Sequence, residues 1–271
     1  QVMGHKSAVL IGVASMHNQI QMLAKKPRII IATPGRLIDH LEQRTVFLSD
    51  TCILILDEAD RMLDMGFAPQ INRILAVVPR KRQTMLFSAT MPTGIVSIAR
   101  SHMELPINVE IAPSGTTADN VTQEVYFVAK ETKIRLLELV LGQIPGPVLV
   151  FTRTKHGARK LTRQVNAIGP KAAEIHSDRS LAQRREALDG FKSGRYRVLV
   201  ATDIAARGID VTGIELVGNY DLPSNSEDYV HSIGRTARAG RPGRAISFAT
   251  FDQRGDIWSI EKLMRTALPI S

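Results

Sequence analysis

Asp57-Glu58-Ala59-Asp60 stands directly after the apolar run Ile53-Leu54-Ile55-Leu56. A short β-rich run ending in acids puts carboxylates at the carboxyl edge of a buried parallel strand, where open α/β sheets bind ligands. Two adjacent acids there suit a divalent cation and a water. In phosphoryl transfer the first, Asp57, holds Mg²⁺ through its water shell, and the second, Glu58, positions or deprotonates the attacking water. The plainer reading is a solvated acidic helix start favoured by the dipole, so the tetrapeptide needs company. The loop that usually completes such a site, G-x-x-x-x-G-K-[ST], is missing from all 271 residues.

Five further stations recur where apolar runs end. Thr33-Pro34-Gly35-Arg36 opens a helix with a cap, a proline and a cation, a set that can hold one phosphate but equally makes an ordinary capped turn. Ser88-Ala89-Thr90 follows Met85-Leu86-Phe87 and places small hydroxyls within reach of neighbouring carboxylates. Phe151-Thr152-Arg153-Thr154-Lys155 leaves its strand with hydroxyls and cations at a helix start. The segment from Ala201 to Asp210 puts Thr202, Arg207 and Asp210 in a loop after another buried strand. Finally, His231-Ser232-Ile233-Gly234-Arg235-Thr236-Ala237-Arg238 carries two arginines three residues apart, expected on one helix face. Such a pair can stabilise charge on a γ-phosphate. The scattered histidines show no metal-ligand spacing.

The elements that must position these residues alternate along the whole chain, the pattern of doubly wound parallel sheets. Strands are expected over 8–11, 28–32, 52–56, 84–88 and 107–111, then over 121–128, 148–152, 173–176, 198–201, 214–219 and 245–249. Helices with apolar residues at three- and four-residue spacing are expected over 132–141, 155–168, 181–193 and 227–238. Periodicity stops in the turn-forming stretch 112–120, which divides a domain over 1–111 from one over 121–271.

Thirty-five Lys+Arg against twenty-six Asp+Glu leave a formal charge of +9, a balance that favours polyanionic partners. Aromatics at 5% leave few stacking platforms, so nucleic-acid contact is expected to run through the phosphate backbone. Cys52, the one cysteine, forbids an internal disulfide and points to the cytoplasm; it is expected simply to pack. No run is long and apolar enough to span a bilayer.

Taken in order, TPGR, DEAD, SAT, the F-x-x-T after Val150, D-x-x-x-R-G-x-D and H-x-x-G-R-x-x-R resemble the motifs of the DEAD-box RNA helicases. The resemblance covers essentially the whole chain, and the phrasing from Asp178 to Gly194 is similar to the bacterial RhlE-type branch. It implies two RecA-like parallel-sheet domains, the first N-terminally truncated, acting as a monomer that closes on ATP and Mg²⁺ while gripping one RNA strand. Residue by residue it implies Asp57 for Mg²⁺ and Glu58 for the water. Asp60 couples to Ser88, Thr90 and His231, Asp210 approaches the ribose, and Arg235 and Arg238 the phosphates. RNA contacts are implied at Pro34, Gly35, Arg36, Thr154, Arg184 and Thr202, to backbone rather than bases.

Three departures accompany the match. The family's phosphate loop, adenine-reading glutamine motif and first RNA-contact motif are absent from the sequence. Val13 stands where a second glycine is common. Ser232 follows the histidine in place of arginine, and Leu181 replaces a frequent glutamine. Without the phosphate loop, the alternative is an RNA-binding or interaction module that does not turn over ATP. The first domain is expected to expose apolar strand faces and to be the less stable of the two.

Overall fold

A computed structural model describes residues 4–110, 121–206, 209, 211–237 and 242–271. The chain divides into two compact units, Gln1–Ser114 and Gly115–Ser271. The expected link over 112–120 lies outside the described residues.

The second unit is a six-stranded parallel sheet. In chain order its elements are β5 (Val121–Phe127), α6 (Lys133–Gln143), β6 (Val148–Thr152), α7 (Lys155–Ala167), β7 (Ala172–Ile175), α8 (Leu181–Lys192), β8 (Val198–Thr202), α9 (Asp203–Ala206), β9 (Leu216–Asn219), α10 (Ser226–Ile233), β10 (Gly243–Ala249) and α11 (Arg254–Met264), with a 3-10 turn over Phe251–Gln253. Spatial order is β5-β10-β9-β6-β8-β7. Two-residue periodicity splits each central strand between two cores. Val148 and Val150 of β6 pack with Leu137 and Leu141 of α6 and Leu161 and Val165 of α7. Leu149 and Phe151, pointing the other way, pack with Ala187 and Phe191 of α8. Both faces are covered, so β6 is buried along its whole length, as an all-apolar parallel strand requires. A third cluster joins Tyr229 and Ile233 of α10 to Ile257, Ile260 and Met264 of α11.

The first unit is built differently. It contains β1 (Ser7–Leu10), α1 (Met16–Ala24), β2 (Ile29–Ala32), α2 (Pro34–Glu42), β3 (Ile53–Leu56), α3 (Ala59–Asp64), α4 (Ala68–Val77), β4 (Gln83–Leu86) and α5 (Thr93–His102). Its strands form two separate parallel pairs, β1-β2 and β3-β4. Each pair covers one face: Ala8 and Leu10 pack with Leu23 and Val46, and Leu56 packs with Ile71, Leu75 and Ile98. The opposite faces are open, with Ile29 46%, Ile31 56%, Ile53 53% and Ile55 56% exposed. The strand before the acidic tetrapeptide is therefore parallel but not buried as expected, because a two-stranded pair carries helices on one side only.

Three further expectations are corrected. Residues 107–110 form no strand, and Ile107 and Val109 are exposed: their alternation finds no ladder partner among the described residues. Cys52 is exposed rather than packed, one residue before β3 begins. Helix α10 stops at Ile233, five residues short of Arg238. Gly234 caps it, turns of three-residue spacing follow at Arg235 and Thr236, and the Thr236 hydroxyl donates to Ile214 O at 2.6 Å, drawing the chain off the helix axis.

Candidate functional site

In the first unit the acidic turn is built around Asp60, which is buried. Its Oδ2 accepts from both the backbone N–H and the hydroxyl of Thr90, at 2.8 and 2.9 Å. Its Oδ1 accepts from Arg61 N, and its own N–H donates to Ser88 Oγ at 3.1 Å. The parallel pairing of β3 with β4 brings these residues together, since Leu56 and Leu86 are in register and both turns leave at the same end. Beside this clamp Asp57 and Glu58 are exposed. Glu58 has φ 48 and ψ 50, the left-handed region, which costs a non-glycine residue on the order of 1 kcal/mol. The conformation lets helix α3 start only two residues after the strand ends. Asp57 Oδ1 accepts from Glu58 N, fixing the turn further.

At the end of β2, Thr33 takes the N-cap position of α2 without the side-chain cap hydrogen bond expected of it, and Pro34 and Gly35 form the first turn. Arg36 turns back to the segment after β1, donating to Gly12 O at 2.6 Å and Ala14 O at 3.3 Å, with Asp39 at 3.4 Å. Gln19 Nε2 holds the same loop through Ile11 O and Ala14 O. Behind it lies buried His40, whose Nε2 meets Gln19 Oε1 and whose Nδ1 meets Thr45 Oγ1. A neutral ring satisfies both when Nε2–H donates and Nδ1 accepts. Burial, with Arg36 next, lowers its pKa and keeps it neutral. Gln19 and His40 carry no motif and were not singled out from the sequence. Their signal was a polar pair on otherwise apolar helix faces. Together with Arg36 they set the shape of the loop that presents exposed Val13.

In the second unit the carboxyl edge of the sheet gathers its stations from β6, β8 and β9. Thr154 caps α7, its hydroxyl accepting from Gly157 N at 3.0 Å. Asp221, after β9, accepts from Arg153 N and pairs with Lys133 Nζ at 3.7 Å. Lys133 is buried and donates to Tyr220 O and Phe248 O, tying the ends of β9 and β10 together; burial lowers its pKa, against the pull of Asp221. Arg184 donates to Arg179 O and Ser177 O and so shapes the turn before α8. That helix begins with a capping box between Ser180 and Gln183, which leaves Leu181 at its first position. Thr202 ends β8, and His231 lies in the last turn of α10. Ser232 is buried and donates to its own helix at Tyr229 O, so the residue that departs from the motif serves packing. Arg235 Nη1 donates to Ile209 O at 3.3 Å. Asp210 and Arg238 lie outside the described residues.

Asp203, directly after Thr202, has its pKa pushed up to about 7, chiefly by burial and then by Asp228 and Asp221. A carboxyl whose folded pKa is raised favours the protonated folded state. Stability of this unit therefore rises as pH falls from about 7 towards about 4. Asp203→Asn is expected to flatten that slope and to stabilise the unit at pH 8 by ~2–4 kcal/mol. Urea midpoints from pH 5 to 8 check this, and a wild-type midpoint that does not move contradicts it.

Comparison with known proteins matches both halves of the chain in order. The DEAD/DEAH box helicase profile matches residues 1–98, and the helicase conserved C-terminal domain profile matches residues 131–240. ATP-dependent rRNA helicase RRP3 of Yarrowia lipolytica is 42% identical over 250 residues, 92% of this chain and 52% of that protein. ATP-dependent RNA helicase DbpA of Bacillus subtilis is 41% identical over 258 residues, 95% of this chain and 54% of that protein. The chain thus spans about half the length of these curated relatives. Among solved structures, Saccharomyces cerevisiae Dbp5 bound to RNA and ADP BeF3 aligns with a TM-score of 0.85 at 28% identity, covering 98% of this chain and 70% of that one. Its parallel α/β units are of the RecA-like kind. With both halves matched in order and the DEAD turn clamped by its SAT hydroxyls, the chain belongs to the DEAD-box helicase family.

Proposed function

We propose that these residues serve an ATP-dependent RNA helicase that couples ATP hydrolysis to local RNA duplex unwinding and remodelling, in the cytoplasm and as a monomer, with hydrolysis needing a phosphate-binding loop that the 271 residues do not hold. The observation that supports this most is the Asp60 clamp. One carboxylate of the turn is held by both Thr90 donors while Asp57 and Glu58, on the same turn, stay exposed for chemistry. Asp57 fits Mg²⁺, an ion that binds one or two carboxylates and otherwise keeps waters and substrate phosphates. Bound there, it would neutralise phosphate charge. Glu58 would accept the proton of the attacking water. Asp60, Ser88, Thr90 and His231 would couple that event to RNA. Asp210 would meet the ribose, and Arg235 and Arg238 the phosphates. Pro34, Gly35, Arg36, Thr154, Arg184 and Thr202 would hold the RNA backbone, giving sequence-blind, salt-sensitive binding.

A second reading, an RNA-binding module without turnover, is favoured by one observation: the 271 residues hold no Gly-rich loop with its lysine to cradle the phosphates. Residues 1–271 alone are accordingly expected to show RNA binding without RNA-stimulated ATPase. Steady-state ATPase with and without single-stranded RNA tests this. Robust turnover abolished by Glu58→Gln would overturn that expectation and leave the enzyme reading standing by itself.

A further inference from the structure

A cavity of about 430 Å³ opens beside α7 and the turn after the edge strand β7, lined by Arg159, Thr162, Arg163, Glu174, Asp178, Arg179 and Gln183. Its volume lies in the ~300–1,000 Å³ range of small-ligand sites, but its walls are polar and charged. Two of its charges are already spent on each other: Arg179 forms an ion pair with Glu174, which is buried. Asp178 is shared between Lys155 Nζ at 2.9 Å and Arg159 Nη2 at 3.7 Å. The Lys155 hydrogen bond holds the Asp178 carboxyl below its usual range, so it stays ionised and neutralised. Arg163 is left over. Its Nε meets only the Arg159 carbonyl, and it pairs with no carboxylate among the described residues. Three arginines against two carboxylates leave the lining with one net positive charge, the complement of a single phosphodiester.

The cavity is also continuous with the proposed RNA contacts. Lys155, Arg159 and Arg163 are four residues apart on α7 and so form one stripe that starts beside Thr154 at the helix cap. Eight residues at 1.5 Å rise carry that stripe about 12 Å along the helix from Lys155. On the other side, Arg179 and Gln183 flank Arg184. The ordinary alternative, a solvated row of helix cations, explains the stripe but not an open recess in whose lining only one cation lacks a carboxylate partner.

We propose that this cavity seats a backbone phosphate of the same RNA strand, on the flank beyond the Thr154 and Arg184 contacts, with Arg163 as the residue that binds it. The inference rests on the RNA reading above. It is tested by measuring affinity of the full chain for oligouridylates of about 6 and about 12 nucleotides, at several salt concentrations. Arg163→Glu is expected to weaken binding of the longer RNA on the order of 10-fold and that of the shorter less than 2-fold, and to lower the salt slope on the longer RNA by about one ion. Arg163→Lys is expected to retain most of the affinity, and the thermal midpoint of the second unit to stay put, because Arg163 is exposed. Unchanged affinity for the longer RNA, or an equal loss at both lengths, overturns the site while leaving the RNA reading intact. A wild-type chain that binds neither length overturns both. Displacement of the longer RNA from the wild type, but not from Arg163→Glu, by an acidic peptide of equal charge would assign the cavity to a protein ligand and overturn it too.

Discussion

Backbone amides of β1 to β4 are expected to exchange with solvent on the order of 10²-fold faster than those of β6 and β8, and limited proteolysis is expected to cut the first unit first. The reason lies in what each sheet covers. In the second unit a parallel strand such as β6 is enclosed by α6 and α7 on one side and α8 on the other. In the first, Ile29, Ile31, Ile53 and Ile55 each leave about half their surface in water. Full burial of such a side chain contributes about 1.5–3 kcal/mol, so each forgoes about 1 kcal/mol. Four together forgo about 4 kcal/mol, against a total stability of only about 5–15 kcal/mol for a domain. Two-stranded pairs also leave edge N–H and C=O groups exchanging freely. Equal protection in the two units would contradict this account.

The other large effect concerns turnover. When a strand and Gly-rich loop with Lys-Thr are joined ahead of Gln1, ATP hydrolysis is expected to appear, and Arg238→Ala is expected to lower kcat by about 10³-fold or more with RNA affinity retained. Magnitude decides which arginine to test. Arg235 already donates to Ile209 O, so its removal disturbs the loop after α9 as well as any phosphate contact. Charge stabilisation is proposed for both arginines, and only a loss confined to kcat identifies a residue acting in the transition state. Unchanged turnover in Arg238→Ala would reject that assignment.

Much of this architecture was legible in the sequence because apolar runs are direct signals of burial. Val148 to Thr152 is a strand at the bounds expected, and α7 begins at Lys155 where Thr154 offers its hydroxyl. The Asp60, Ser88 and Thr90 cluster was implied by the motif resemblance, and the parallel pairing of β3 with β4, which no local pattern announced, is what brings the three together. What failed depended on partners that one segment cannot announce. Ile107 and Val109 alternate like a strand but have no neighbour to pair with among the described residues. The end of α10 is decided by Thr236 reaching Ile214, twenty-two residues back. The environment of Asp203 is made by Asp221 and Asp228 from other elements, so its shifted titration appears only once the sheet is assembled.

The left-handed backbone at Glu58 carries a consequence for how such a chain can change. Glycine, or asparagine to a lesser degree, adopts that conformation more readily and would relieve the strain. Either would also remove the carboxylate that the turn leaves exposed. Under the role proposed for Glu58, selection for a firmer fold and selection for the side chain pull in opposite directions at one torsion angle, and a screen that scored thermal tolerance alone would drift towards molecules that are sturdier and lack that carboxylate.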